Sequence, residues 1–256
     1  MLPSLFISHG SPMIALEDTE YTRYLKKLAS ELPKPKAIVM VSAHYESPIQ
    51  RVGTAIDYRM IYDFGGFPRE LSQIVYPAKG DKILAQRILD RFQSAGIDAQ
   101  ADPDRGIDHG VWTILHLMYP DAKIPLVTLS VNPFLDASQW FKIGKTLRSL
   151  KEEDILVIGS GVTLHNLRRI DWRDDAPIAP WAKAFHEWIN DAVKALDFKR
   201  LDAWKDGPHS LDAVPRPEHF APLLILAASA TEGSTPCLTY SEIQMGSLSY
   251  DVWRFD

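Results

Sequence analysis

The sequence of 256 residues contains eight histidines, and four of them stand where metal chemistry could use them. Leu5-Phe6-Ile7-Ser8-His9 and Ala37-Ile38-Val39-Met40-Val41-Ser42-Ala43-His44 are short apolar runs that stop on histidine. A third run, Ile155-Leu156-Val157-Ile158-Gly159-Ser160-Gly161, leads through Val162-Thr163-Leu164 to His165, and Pro217-Glu218-His219 reads as a helix start. A lone histidine is most often a satisfied core or surface residue. Several imidazoles brought to one edge of a sheet, however, make a site for Fe, Zn, Cu or Ni. Imidazole also titrates near neutral pH, which suits it to proton transfer. None of the four has HExxH spacing, so the fold has to assemble them. His109, between Asp108 and Gly110 at a helix start, reads either as a capping residue or as a contact to substrate. His116 reads as a packing residue, His186 beside Glu187 as a water-facing one, and His209 as part of a loop.

Other chemistries find less support. Gly159-Ser160-Gly161 is not the GxSxG elbow of a serine hydrolase. No Walker motif or strand-coupled GxGxxG is present. The single cysteine, Cys237, falls in an expected strand and reads as a buried structural thiol. One cysteine excludes a disulfide framework and a thiolate metal cluster, and it is compatible with a reducing compartment. The net charge of −5 is dispersed, without the basic stripe of a nucleic-acid binder. There is no basic leader segment and no apolar stretch of membrane-spanning length. These features point to a cytoplasmic protein with no nucleic-acid or membrane partner.

The elements that must position the histidines alternate between apolar strand-like runs and amphipathic helices. Tyr21, Tyr24, Leu25, Leu28 and Leu32 predict a helix over residues 19–32, closed by Pro33 and Pro35. Helices are also expected over 81–95, from 106 to about 118, over 137–150, along Trp181 to Leu196, near 198–204, and from Pro217 to about Ala230. Strands are expected at 50–57 and 124–130, and the alternation at the chain's end predicts an edge strand at Leu248–Val252. This is an α/β pattern with a mostly parallel sheet. Ligands bind at the carboxyl ends of the strands in such folds. No repeat or linker interrupts it, so residues 1–256 read as one domain. The loop Ile61-Tyr62-Asp63-Phe64-Gly65-Gly66-Phe67-Pro68 reads either as a structural turn or as a pocket wall for a flat substrate.

Ser8-His9-Gly10-Ser11-Pro12, Ser42-Ala43-His44, Asp63-Phe64-Gly65-Gly66-Phe67-Pro68, Asp108-His109-Gly110, Gly159-Ser160-Gly161, His165-Asn166, Pro217-Glu218-His219 and Glu242-Ile243-Gln244-Met245-Gly246-Ser247-Leu248-Ser249 occur in this order. In that respect the chain resembles the class III extradiol ring-cleavage dioxygenases, in the branch of DOPA 4,5-dioxygenase. The resemblance spans essentially the whole sequence. It implies a three-layer α/β/α sandwich with its active site at the carboxyl edge of the strands, and one divalent metal per chain. It implies metal binding by His9, His44 and His219, with His165 as the fourth histidine of the pocket. Relatives that cleave protocatechuate use a glutamate as third ligand, and Glu218 adjoins His219 here. Neighbouring helix positions point about 100° apart, so only one can face the metal; the DOPA branch selects His219. Fe²⁺ is expected for catalysis, and imidazoles also suit Zn²⁺. The implied reaction opens a catechol such as DOPA with O₂ to a semialdehyde. His165 and then His109 are the expected acid/base residues, and Trp112 is expected to join residues 62–67 in walling the ring. A zinc-dependent hydrolase and a non-enzymatic Memo-like binding protein are the alternatives.

Overall fold

Apolar strands that are buried on both faces set the architecture. In β1 (Ser4–Ser8) every residue is buried, and Leu5, Phe6 and Ile7 are fully so. The computed structural model describes residues 1–173 and 175–256. After β1 come α1 (Glu20–Glu31), β2 (Ala37–Glu46), β3 (Gln50–Gly53), α2 (Lys82–Ser94), β4 (Ala99–Asp102), α3 (His109–Met118), β5 (Leu126–Val131) and α4 (Ala137–Leu147). The chain continues with β6 (Ile155–Gly161), α5 (Pro180–Lys194), α6 (Phe198–Asp202), α7 (Ser210–Ala213), α8 (Ala221–Ala228), β7 (Cys237–Gln244) and β8 (Leu248–Phe255).

The strands form one eight-stranded sheet in the order β4-β3-β5-β2-β6-β1-β8-β7. β5, β2, β6 and β1 are mutually parallel at its centre. β3 and β8 pair antiparallel with the two flanks of that block. Side chains alternate between the two faces, as strand geometry requires. Leu5, Ile7, Ile38, Met40, Leu156 and Ile158 pack with α1 and α3 in one cluster. Phe6, Val39, Val41 and Val157 pack with α2, α4, α5 and α8 in the other. The result is the expected three-layer sandwich. Burying each Leu, Ile or Val side chain stabilises it by about 1.5–3 kcal/mol. Helix starts follow the sequence closely: Thr19 and Asp81 accept from Thr22 and Leu84 N–H groups as N-caps of α1 and α2.

Several expectations are corrected. The strand at the chain's end lies inside the sheet between β1 and β7, and β7 is the edge. Cys237 opens that edge strand and is exposed rather than buried. β4 carries Ala99-Gln100-Ala101-Asp102, with no apolar alternation to announce it. The last helix begins at Ala221, and His219 occupies the turn before it, where its carbonyl accepts from Val162 N–H at 2.9 Å.

Candidate metal centre

The carboxyl end of β6 assembles the site. His9 N–H donates to the Gly161 carbonyl at 3.1 Å, and Val162 N–H donates to the His219 carbonyl at 2.9 Å. Two histidines more than two hundred positions apart in the sequence are thus tied to consecutive residues of one strand end. Gly161 is required there, because a Cβ would overlap the His219 carbonyl oxygen. A Cβ on Gly159 would similarly overlap the Leu226 side chain of α8. His44 comes from β2, where the register against β5 shifts between Val41 and Glu46. A bulge of this kind re-aims side chains at a strand's end.

The three imidazoles converge through their Nε2 atoms. His9 Nε2 lies 3.0 Å from His44 Nε2, which lies 3.2 Å from His219 Nε2. Each outer nitrogen has an oxygen partner. His9 Nδ1 is 2.9 Å from Ser160 Oγ, whose own proton goes to the Gly110 carbonyl at 2.6 Å. His44 Nδ1 is 3.2 Å from Asp63 Oδ2, and His219 Nδ1 is 3.1 Å from Glu218 Oε1. These acceptors place the ring proton on Nδ1 in each case, so three Nε2 lone pairs face one another. Burial, reinforced by the neighbouring imidazoles, holds His9 and His219 well below the usual histidine range. Facing lone pairs repel unless a cation lies between them. Metal–nitrogen bonds of about 2.0–2.1 Å would separate ligand nitrogens by roughly 2.8–3.4 Å at square to tetrahedral angles, a range that includes the 3.0 Å and 3.2 Å separations from His44 Nε2. Outer-nitrogen partners of this type orient metal-binding histidines and fix their tautomers. The residues therefore fit a divalent metal, with Glu218 turned to His219 Nδ1.

The other two expected residues flank this trio. His109 Nδ1 lies 2.9 Å from Asp63 Oδ1, which also accepts from the His109 backbone N–H at 3.1 Å. Burial alone would raise the Asp63 carboxyl, but hydrogen bonds from His109 and His44 hold it far below the ordinary range. The His165 ring is stacked on His219, with centroids 3.7 Å apart and an 11° interplanar angle. Its nitrogens have no hydrogen-bond partner among the described residues. Burial, followed by the neighbouring His219, pushes His165 down to about 2.

A cavity of about 270 Å³ opens beside these rings. Phe64 and Phe67 form one wall, and Leu167, Ile170, Trp172 and Met245 form much of the rest. Trp112 is not a wall. It is fully buried beneath the aromatic loop, with ring centroids 6.1 Å from both Tyr62 and Phe64.

A family model described as the catalytic LigB subunit of aromatic ring-opening dioxygenase matches residues 3–251. The chain belongs to this family. A 4,5-DOPA dioxygenase extradiol of Escherichia coli (strain K12) is 40% identical over 253 residues, covering 97% of this chain and 92% of its own length. The Beta vulgaris protein of the same name is 38% identical over 259 residues, with 98% and 96% covered. A crystal structure of an uncharacterized Escherichia coli K12 protein superposes with a TM-score of 0.87 at 34% identity, over 100% of each chain. The chain is thus an extradiol ring-opening dioxygenase, and neither the hydrolase nor the binding-protein alternative is favoured. Membership implies a catalytic metal, and two adjoining groups have donor atoms close enough to hold one, His9 with His44 and His109, and His165 with Glu218 and His219. Among the described residues no helix is long and apolar enough to cross a membrane.

The structure brings His9, His44, His109, His165 and His219 of this LigB-family chain together, and leaves the other histidines outside. His186 does not face water. It is buried, and its Nε2 lies 2.9 Å from the fully buried Asp251 carboxylate. His116 is half-buried on α3, and His209 is exposed, 3.6 Å from Asp212. Sequence reasoning missed Asp63 as a bridge between two imidazoles and Ser160 as the partner of His9. Both sat within recognised motifs, but their partners could not be read there. It also missed Leu167, Ile170 and Trp172, whose loop has no periodicity to signal a wall.

Proposed function

We propose that this enzyme opens the ring of a catechol beside its two hydroxyls, using one divalent metal held by His9, His44 and His219. The convergence of three neutral Nε2 atoms, each with its Nδ1 proton committed to an oxygen, carries this reading. When bound, Fe²⁺ supplies the redox chemistry with O₂ and a place for two catechol oxygens, whereas Zn²⁺ suits the same donors but lacks redox chemistry.

The chain's own residues handle position and protons. Phe64 and Phe67 confine a flat ring against the imidazoles. His109 donates its Nδ1–H to the Asp63 carboxylate, which leaves Nε2 to accept from a catechol hydroxyl. His165, with no partner of its own, takes a hydroxyl proton and returns it to oxygen as the ring opens. Burial keeps its imidazole neutral, and its place at the cavity beside the catechol site is what suits it to the transfer. The apolar walls limit water in the cavity, so that these transfers run between fixed groups.

The test is reconstitution with Fe²⁺ followed by oxygen-electrode assays with catechol and with DOPA, the compound for which the relatives are named. About one O₂ per ring and a yellow semialdehyde are expected, with inhibition by Zn²⁺. Turnover with zinc in the absence of oxygen would refute the proposal. His165→Ala should retain metal and catechol affinity while losing roughly two to four orders of magnitude in turnover. Loss of metal in that variant would make His165 a ligand instead.

A further inference from the structure

Resting on the ring-opening reading, we infer that the preferred substrate is a catechol carrying an uncharged, apolar substituent, which the wall of Leu167, Ile170, Trp172 and Met245 receives. The cavity's polar side chains are almost all committed. Asp63 is shared by His44 and His109, and Ser11 Oγ caps its own turn by accepting from Met13 N–H at 3.2 Å. No lysine, arginine or amide side chain lines the cavity among the described residues. Two arginines of the adjoining loop are engaged elsewhere. Arg169 pairs with Asp212 at 2.5 Å and lies over the Trp181 ring. Arg173 pairs with Asp171, and Arg168 is not part of the wall. An amino-acid side chain such as that of DOPA would bring a carboxylate into this space with no cationic side chain to meet it, and an ammonium whose one available carboxylate, Asp63, is already shared by two histidines.

The opposite signal is strong at the cavity's mouth. Trp172 is 73% exposed and Leu167 is 56% exposed, so two large apolar side chains meet water at the rim of an apolar cavity. Apolar surface gathered around a concave site marks the place where an apolar ligand group removes it from water. The catechol oxygens face the imidazoles, and whatever the ring carries on its far side meets this surface.

The experiment compares kcat/KM for catechol, 4-methyl-, 4-ethyl- and 4-propylcatechol and DOPA on the Fe²⁺-reconstituted enzyme, with anaerobic dissociation constants measured alongside. Each added methylene should raise kcat/KM and affinity about fourfold, and DOPA should fall about tenfold or more below 4-propylcatechol. A flat or falling series, or DOPA at or above 4-propylcatechol, would overturn the inference. Trp172→Ala should flatten the series to under about twofold per methylene, and an unchanged slope would count against the wall as drawn. Arg168→Ala should leave every rate as it was; a loss confined to DOPA would reveal a carboxylate partner and overturn the proposal. If no member of the series and no DOPA consumes oxygen, the ring-opening reading has failed, and the affinity series still judges the apolar wall. If catechol reacts but the trend is absent, only the substituent inference has failed.

Discussion

One hydroxyl at Ser160 serves two partners, accepting from His9 Nδ1 at 2.9 Å and donating to the Gly110 carbonyl at 2.6 Å. Because its proton is spent on Gly110, it can only accept from His9, and that fixes the tautomer which leaves Nε2 free. Glu218 does the same for His219 through a 3.1 Å contact. Ser160→Ala and Glu218→Gln should therefore weaken metal binding by about 10–100-fold, the usual worth of such partners. His9→Ala, His44→Ala and His219→Ala should lose bound metal outright. Metal titration of the five variants, followed by elemental analysis, checks the order. Normal metal in His219→Ala with loss in Glu218→Gln would transfer the ligand role to Glu218. The sequence made the histidines legible because each of the first two ends an apolar run. It could not reveal Ser160's role, since Ser160 and His9 are 151 positions apart. A hydroxyl's partner is set by which strands become neighbours, not by the motif around it.

The junction of β6 with the turn before α8 shows the same limit for whole elements. β6 was legible as a buried strand, and its end at Gly161 was as expected. The glycines flanking Ser160 read as a motif whose purpose was hidden. Their purpose is contact: α8 and the turn bearing His219 approach too closely for a Cβ at either position. β4 and the shift in β2 stayed invisible for a different reason. Short exposed strands and bulges are stabilised by neighbours supplied from distant sequence, so they leave no local period. Gly161→Ala follows as a test at this scale. The added methyl must displace the His219 carbonyl, which carries the Val162 hydrogen bond. The strain should cost about 1–3 kcal/mol of stability and also weaken metal binding, although Gly161 contributes no ligand. Thermal unfolding and metal titration on one preparation read both effects. Destabilisation with undiminished metal affinity would show that His219 is held by something other than the β6 end.

Over the whole molecule, one sheet draws its strands from Ser4 to Phe255. The five clustered imidazoles sit at the edge of that sheet, and their concentration makes the metal-free protein sensitive to acid. His9, His165 and His219 are each held below 6.5 by burial first; the His44 imidazole comes next for His9 and His219, and His219 comes next for His165. In the unfolded chain they take protons near pH 6.5, while in the fold they remain neutral. The unfolded state then binds more protons, so stability is complete above pH 6.5 and falls as pH drops through it. Each such group costs about 1.4 kcal/mol per pH unit, and the three together about 4. His186 behaves oppositely. Burial lowers it, but the Asp251 charge and hydrogen bond prevail and raise it above 6.5. Its contribution is whole below pH 6.5 and fades only at higher pH, so it does not alter the slope on the acid side. A protein of ordinary stability, about 5–15 kcal/mol, should thus unfold within roughly two to four pH units of neutrality once chelator has removed its metal. Urea titrations in EDTA between pH 7.5 and about pH 5 measure the slope directly. His165→Ala removes one of the three groups and should reduce that slope by about a third, and a metal-loaded sample should resist until its imidazoles compete successfully for protons. A metal-free protein whose stability is level across this range would mean that the imidazoles are charged in the fold, and the arrangement of facing Nε2 lone pairs would then be wrong.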